Sequence, residues 1–362
     1  MELFRPVSIG TLKLDGNLFL APVAGYTDRS FRSLCAEQGA CFSFTELVSA
    51  EALCRNFGRY GIYPEDFTRS RGVPSECPDA ENKKKREIHS SAVSLIRRGE
   101  KEKRYAIQLF AGESESIYKA VCLLSSMRPD AIDINAGCPV QKVVKNGAGS
   151  ALMKNPSKLG KVVEEAVRAS DECLGGIPVT IKIRSGWDSK SLNYDECARI
   201  AVEAGASMIS LHPRTRTQGY GGKSDWSYIA NLVTRLPVPV TGSGDLYSPE
   251  DAQHMLTETG CAAVMFARGA IGNPFIFSQT RSLLQTGSCE EASFSARIET
   301  ALRHLEMLSA DIGERTACLE MRKQFCAYTK GMKGGAALRE KAVHAGTIEE
   351  YRKITFEYQE LI

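Results

Sequence analysis

VTIKIRSGWDSKSLNYDECARIAVEAGASMISLH, residues 179–212, contains the unit that repeats along this chain. It opens on the β-branched run VTIKI (179–183) and closes on SMISLH (207–212). Between them, YDECARIAVEAG (194–205) sets Cys197, Ile200, Ala201 and Ala204 near helical period, and Gly205 stands where a helix C-cap belongs. Reading outward, six further apolar runs match the two flanking ones: LFLA (18–21), CFSFT (41–45), YAIQLF (105–110), AIDIN (131–135), VPVTG (238–242) and AAVMFA (262–267). Helix-compatible stretches such as SKLGKVVEEAVRAS (157–170) separate most of them. Runs apolar throughout suit strands buried on both faces of a parallel sheet. Eight β-α units over roughly 250 residues is the length of a closed (β/α)8 TIM barrel, an α/β fold. The alternative is an open doubly wound sheet. No Gly-x-Gly-x-x-Gly follows the first strand, and this favours the barrel.

Two regions break the rhythm. Residues 55–104, rich in charges of both signs, exceed a normal connection and read as a surface insertion with a short helix near 88–98. After about residue 290 strand signals stop, and ASFSARIETALRHLEMLSADIG, ERTACLEMRKQFCAYTKGM and TIEEYRKITFEYQELI read as helices. The expected organisation is therefore a barrel over 1–285 and a small all-helical domain over 290–362.

Composition excludes several classes. The 362 residues carry 46 Lys plus Arg against 43 Asp plus Glu, so the net charge of +3 names no partner. Charge-free stretches reach only about a dozen residues, short of the about 20 a membrane helix needs. MELFRPVSIGTLKLDG lacks the apolar core of a signal peptide, so a cytoplasmic protein is expected. The 12 cysteines show no C-x-x-C; neither zinc nor disulfides are expected, and most should be small buried hydrophobes. One of them stands out.

Barrel ligands bind at the C-terminal ends of the strands. There the chain places APVAGYTDRSFR, NAGCPVQKVVKNGAGSALM, HPRTRTQGYGG, GSGDL and ARGAIGNP. Gly-rich turns after the seventh and eighth strands are where this fold binds phosphate, through backbone N–H groups. Cys138, between Gly137 and Pro139 just after the fourth strand, can reach a ligand over the barrel mouth, with Asn135, Gln141 and Lys142 nearby. It is either a nucleophile, needing a base such as His212, or a general acid, needing a protonated thiol. Lys182, at the end of the fifth strand, needs a partner if buried, and an anionic cofactor would supply one.

LAPVAGYTDRSFR, DINAGCPVQKVVKNGAGSALMKNP, VTIKIRSGW, HPRTRTQGYGGKSDW and AVMFARGAIGNPFIF together resemble the tRNA-dihydrouridine synthases, in order from about residue 5 to 285. EMRKQFCAYTKGMKG (320–334) resembles their C-terminal helical domain. The resemblance implies an FMN-bound barrel, reduced by NADPH or NADH, that reduces the C5=C6 bond of particular uridines in tRNA. It implies that Cys138 protonates C5 and that Pro22, Val23 and Ala24 cover the flavin. By the same resemblance Gln108 and Lys182 contact the isoalloxazine and His212 lies beside it. Ser243, Gly244, Asp245, Ala267 and Arg268 match the phosphate-side turns. Asn135 and Arg214 are expected to meet the substrate, and no metal is expected. The chain departs from the family where Ser243 replaces an Asn, Ala267 a Gly, and Val23 and Ala136 a Met.

Rival readings are another FMN barrel acting on a small molecule, and a tRNA-binding module whose catalysis is lost. The C-terminal charges favour a macromolecular substrate. Residues 321–341 hold Arg322, Lys323, Lys330, Lys333, Arg339 and Lys341 against Glu340, +5 in 21 residues, leaving the rest of the chain at −2. Arg322, Lys323, Lys330 and Lys333 are the expected tRNA contacts, and the protein is expected to act as a monomer.

Overall fold

A computed structural model of the chain describes residues 2–60 and 95–359. In chain order the strands are β1 (Val7–Ile9), β2 (Leu12–Leu14), β3 (Leu18–Leu20), β4 (Phe42–Phe44), β5 (Val48–Ser49), β6 (Tyr105–Phe110), β7 (Ala131–Ala136), β8 (Val179–Gly186), β9 (Met208–Thr215), β10 (Val240–Ser243) and β11 (Ala263–Phe266). The helices of the barrel are α1 (Arg29–Glu37), α2 (Ala50–Tyr60), α3 (Ser114–Leu123), α4 (Gln141–Val144), α5 (Pro156–Cys173), α6 (Tyr194–Glu203), α7 (Ser227–Arg235), α8 (Pro249–Thr259) and α9 (Ile276–Thr286). They are followed by α10 (Phe294–Ile312), α11 (Glu314–Tyr328), α12 (Gly335–Ala342) and α13 (Ile348–Gln359).

The eight apolar runs are the eight barrel strands. They pair in parallel in the order β4-β3-β11-β10-β9-β8-β7-β6, and β4 pairs with β6 to close the ring. Strand period explains how one run serves two environments. In β3, Leu18 and Leu20 face the helices, whereas Phe19 joins the interior cluster of Phe42, Phe44, Ala106, Met208 and Met265. The antiparallel hairpin β1–β2 adds Val7, Ile9, Leu12 and Leu14 to that cluster and so plugs one end of the barrel. The inward positions turn polar toward the other end. Register aligns Gln108 with Asp133, Asn135 with Lys182, and Arg184 with His212.

Helices α10–α13 pack around a separate cluster that includes Leu305, Met321, Phe325, Tyr328 and Tyr351. They rest against α1 and the loop before it. His304 Nε2 lies 3.3 Å from Asp28, Gln324 Nε2 donates to the Tyr26 carbonyl at 3.1 Å, and Arg29 pairs with Asp311 at 2.5 Å. Gly272 permits a close approach: a Cβ there would lie 2.4 Å from the Ala327 backbone.

Three expectations need correction or limits. Lys182 and His212 are not at strand ends, because β8 runs on to Gly186 and β9 to Thr215. Cys122 and Cys173 form a disulfide, with Cα atoms 5.1 Å apart, against the expectation of none. Their separation of 51 residues hides a contact made only when α3 packs on α5. Of the 55–104 insertion, residues 61–94 lie outside the described residues, as does most of the helix expected near 88–98. Its far end is anchored, since buried Arg32 pairs with Glu102 at 2.9 Å and donates to the Arg97 carbonyl at 2.5 Å.

Candidate active site

The C-terminal ends of the strands surround a cavity of about 570 Å³. It is lined by Pro22, Val23 and Ala24 after β3, by Gln108, Asn135, Lys182 and His212 from the wall, and by Cys138. Ser243, Gly244, Asp245, Ala267 and Arg268 complete the opposite side. Pro22 and Arg268, 246 positions apart in sequence, thus meet because the closed ring of strands delivers its loops and upper wall residues to one mouth.

The wall is a hydrogen-bonded polar layer. Asp133, fully buried, accepts from Gln108 Nε2 at 2.7 Å and from Thr180 Oγ1 at 2.5 Å. Burial pushes its carboxyl up to about 6. Gln108 Oε1 in turn accepts from Asn135 Nδ2 at 2.8 Å. Asn135 Oδ1 is spent on the backbone amides of Gly137, at 3.2 Å, and Cys138, at 2.9 Å. Asn135 therefore fixes the loop that carries the thiol. Arg184 holds the same loop, donating to the Gly137 carbonyl at 2.8 Å and to Thr215 and Gly219 carbonyls at 3.0 Å each. Gly149 completes the hold, since a Cβ there would lie 2.8 Å from the Cys138 carbonyl in a left-handed backbone (φ +59).

Cys138 is half-buried, and burial raises its thiol above its ordinary value against the weaker pull of the Val140 amide, Arg184 and Lys182. The thiol is thus protonated at neutral pH, the state an acid requires and a nucleophile does not. No hydrogen bond joins it to His212 among the described residues. His212 is buried, and burial together with Lys182, Arg184, Arg214 and Arg268 drives its imidazole well below the usual value, leaving it neutral. Its Nε2 is buried without a partner among the described residues. Lys182 likewise takes no hydrogen bond or ion pair among the described residues, and burial pulls its ammonium down to about 8. An unpartnered imidazole nitrogen and an unpartnered ammonium in one polar cavity call for a ligand with acceptor atoms and electron-rich character.

The turns after β10 and β11 form a backbone cradle. Gly244 has φ +105, and a Cβ on it would meet Ser224 Oγ at 2.5 Å. A Cβ on Gly269 would lie 2.2 Å from the Leu246 carbonyl, so the two turns touch main chain to main chain. The amides of Gly244 and Asp245 have no hydrogen-bond partner among the described residues. The Ser243 hydroxyl is committed to the Met265 carbonyl at 3.2 Å, so it does not point at a ligand. Arg268 stands at the rim, 4.7 Å from the Tyr220 ring centroid and 5.2 Å from that of Tyr247.

Arg214 is placed differently from the sequence expectation. It is buried away from the cavity and donates to Gly221, Gly222 and Ser224, and to both Asp245 oxygens at 2.8 Å. It fastens the β9 loop to the β10 turn, so it is correctly a positioning residue rather than a substrate contact. The C-terminal cations separate too. Lys330 and Lys333 are exposed, whereas Arg322 and Lys323 are half-buried. Lys323 pairs with Glu320 and lies 5.6 Å from the Tyr26 ring at the cavity edge. Sequence reasoning missed Arg184, Tyr220 and Tyr247. Arg184 was visible two residues past Lys182, on the same strand face; the two tyrosines lie in loops that carry no periodic signal.

The dihydrouridine synthase family model matches residues 83–360. The chain belongs to the dihydrouridine synthase family. Among relatives of this family, a probable tRNA-dihydrouridine synthase of Treponema pallidum is 44% identical over 97% of this chain and 96% of its own. Probable tRNA-dihydrouridine synthase 1 of Synechocystis is 32% identical, over 96% of this chain and 87% of its own. Solved structures agree on the fold alone. A 2-naphthoyl-CoA reductase complex superposes with a TM-score of 0.52 at 11% identity, over 78% of this chain and 52% of that one. The 6-hydroxypseudooxynicotine amine oxidase of Pseudomonas geniculata gives 0.52 at 13%, over 83% and 52%. No helix among the described residues of this family member is long and apolar enough to cross a membrane.

Proposed function

We propose that this chain is a tRNA-dihydrouridine synthase that holds FMN in the 570 Å³ cavity and reduces the C5=C6 bond of specific uridines in tRNA, with NADPH or NADH as reductant. The donor set fits the cofactor. The Gly244–Asp245 and Ala267–Arg268 turns would take its phosphate, while Lys182, His212 and Gln108 would meet the ring's polar edge, and Pro22–Ala24 would cover it. When bound, FMN supplies hydride chemistry. Everything else falls to the protein. Lys182 and His212 orient the ring, Asn135 and Arg184 hold the Cys138 loop over the mouth, and the Cys138 thiol gives its proton to uracil C5.

The carrying observation is the Cys138 loop, pinned from two sides by Asn135 and Arg184 at the mouth of a cavity whose wall holds a Lys and a His without partners among the described residues. We read residues 1–285 as the catalytic unit and 290–362 as a tRNA-gripping unit of a cytoplasmic enzyme, with exposed Lys330 and Lys333 on the grip. The test is direct. The purified protein should be yellow with a flavin spectrum, and its pre-reduced form should be oxidised by tRNA lacking dihydrouridine but not by free uridine. Oxidation by free uridine or an enone at equal rate would instead make it a small-molecule reductase.

A further inference from the structure

The mouth has a second charged feature, on the segments that follow β7, β8 and β9. Trp187, just past β8, has Lys154 Nζ 3.4 Å from its ring centroid and Arg216 Cζ 4.7 Å from it. These two distances keep the charges within about 8 Å of each other, inside one Debye length at physiological salt. Lys142, Lys145, Lys190 and Lys223 stand exposed on the same three segments. None of these six cations has an ion-pair partner among the described residues. Elsewhere exposed cations often do, as in Lys119–Glu115, Arg199–Glu203 and Lys341–Glu357. The nearby acids are engaged locally: Asp188 accepts from Ser191 and the Lys190 amide, and Asp225 from Ser227.

Position matters as much as charge. In the closed order of eight strands, β8 lies four steps from β3, directly across the barrel. The C-terminal helices sit against the loop after β3, so the Trp187 cluster faces them over the cavity. Arg216 Nη2 also donates to Gln141 at 3.2 Å, tying the cluster to the helix that begins three residues after Cys138.

We propose that Trp187, Lys154 and Arg216, with Lys142 and Lys145, form a phosphate-binding rim that grips the RNA backbone beside the target uridine, opposite the C-terminal helices. The indole holds two like charges side by side, and an RNA phosphate relieves their repulsion. The inference rests on RNA being the substrate of this cavity.

The test measures affinity for an unmodified tRNA transcript between 50 and 200 mM salt. Each lost phosphate contact flattens the salt slope by about 0.7 for a single strand, so Lys154→Gln with Arg216→Gln should flatten it by about 1.4. Across that fourfold salt range the parent should then lose about sevenfold more affinity than the double variant. Lys142→Gln with Lys145→Gln, both exposed and without side-chain partners, should act alike without risk to folding. Lys119→Gln, on the outer face of α3, should leave affinity and slope unchanged. Unaltered slopes in both double variants, or an equal change in Lys119→Gln, overturn the rim. If the parent still reduces tRNA uridine in that case, the enzymatic reading stands; if the parent does not bind tRNA at all, both fall.

Discussion

Lys182 makes opposite demands on the empty and the filled cavity, so one substitution should move two measurements in opposite directions. Burial lowers its ammonium from 10.5 to about 8, and no described residue pairs with it. A gap of that size corresponds to about 2–3 kcal/mol against the folded state at neutral pH, allowing for water that reaches the ammonium through the cavity. Unfolded chain binds the proton up to about 10.5 and folded chain only up to about 8. In that window the unfolded state holds more protons, so stability rises with pH, and the penalty is fully present below 8. Lys182→Met keeps the stem and removes the charge. The flavin-free variant should therefore be more stable than the flavin-free parent by about 2 kcal/mol at pH 7, a rise of a few degrees in melting temperature. The gain should shrink between pH 8 and 10.5. With flavin the sign reverses: the variant should retain FMN poorly and hold it at a lower reduction potential, because a positive charge beside the ring favours added electrons. The assay is thermal melting of apo and FMN-loaded protein at pH 7 and 10, with a redox titration of the loaded form. A variant less stable than the parent when empty, or one with full FMN occupancy and unchanged potential, refutes the reasoning.

Cys138→Ala should keep its FMN yet lose 10²–10⁴-fold in turnover with tRNA, the usual worth of a general acid; a loss of only a fewfold would remove the thiol from the chemistry. Since burial lifts that thiol above 9.0, tRNA turnover by the parent should hold through neutral pH and decline only in alkaline solution, as the proton is lost. Arg214→Met should destabilise the protein by about 1–3 kcal/mol in urea unfolding, because it strips the Gly221 and Gly222 carbonyls of their donor and leaves Asp245 with only its longer Arg268 ion pair; no measurable cost would mean that Arg214 does not hold the turn. Lys330→Ala with Lys333→Ala should weaken tRNA binding across tRNA sequences and flatten its salt dependence, read in the same titration as the parent.

The barrel was legible because parallel strands covered on both faces leave uninterrupted apolar runs, and all eight runs became strands. The same feature obscured the site. Lys182 and His212 read as strand-end residues only because the apolar run seemed to stop there, whereas β8 and β9 continue through Arg184 and Arg214. In a barrel wall the outward positions stay apolar to the top while the inward ones turn polar. Alternation, not run length, marks where such a strand ends. The β1–β2 hairpin is too short to show a pattern, with three residues per strand. The Cys122–Cys173 bridge depends on helix packing that no local spacing encodes.

Motif matching located the cavity-lining residues but could not sort those that face a ligand from those that hold the others in place. Asn135 and Arg214 were both assigned to substrate; Asn135 spends its oxygen on the Cys138 loop, and Arg214 spends its donors on a loop and Asp245. That division has an electrostatic consequence. Asp245 is the carboxylate of the turn proposed to take the phosphate, and alone it would repel an anion. Burial tends to raise it, but the Ser224 amide and Arg214 outweigh burial and hold it ionised and paired, with Arg268 3.4 Å away. Lys182, Arg184 and Arg268 then leave the mouth with a surplus of positive charge, which adds to burial in keeping His212 neutral. A buried neutral imidazole can offer a hydrogen bond without adding another charge. The cavity is therefore poised to receive an anion at its cradle while its thiol stays protonated, because burial of the thiol outweighs the pull of the very cations that attract the anion.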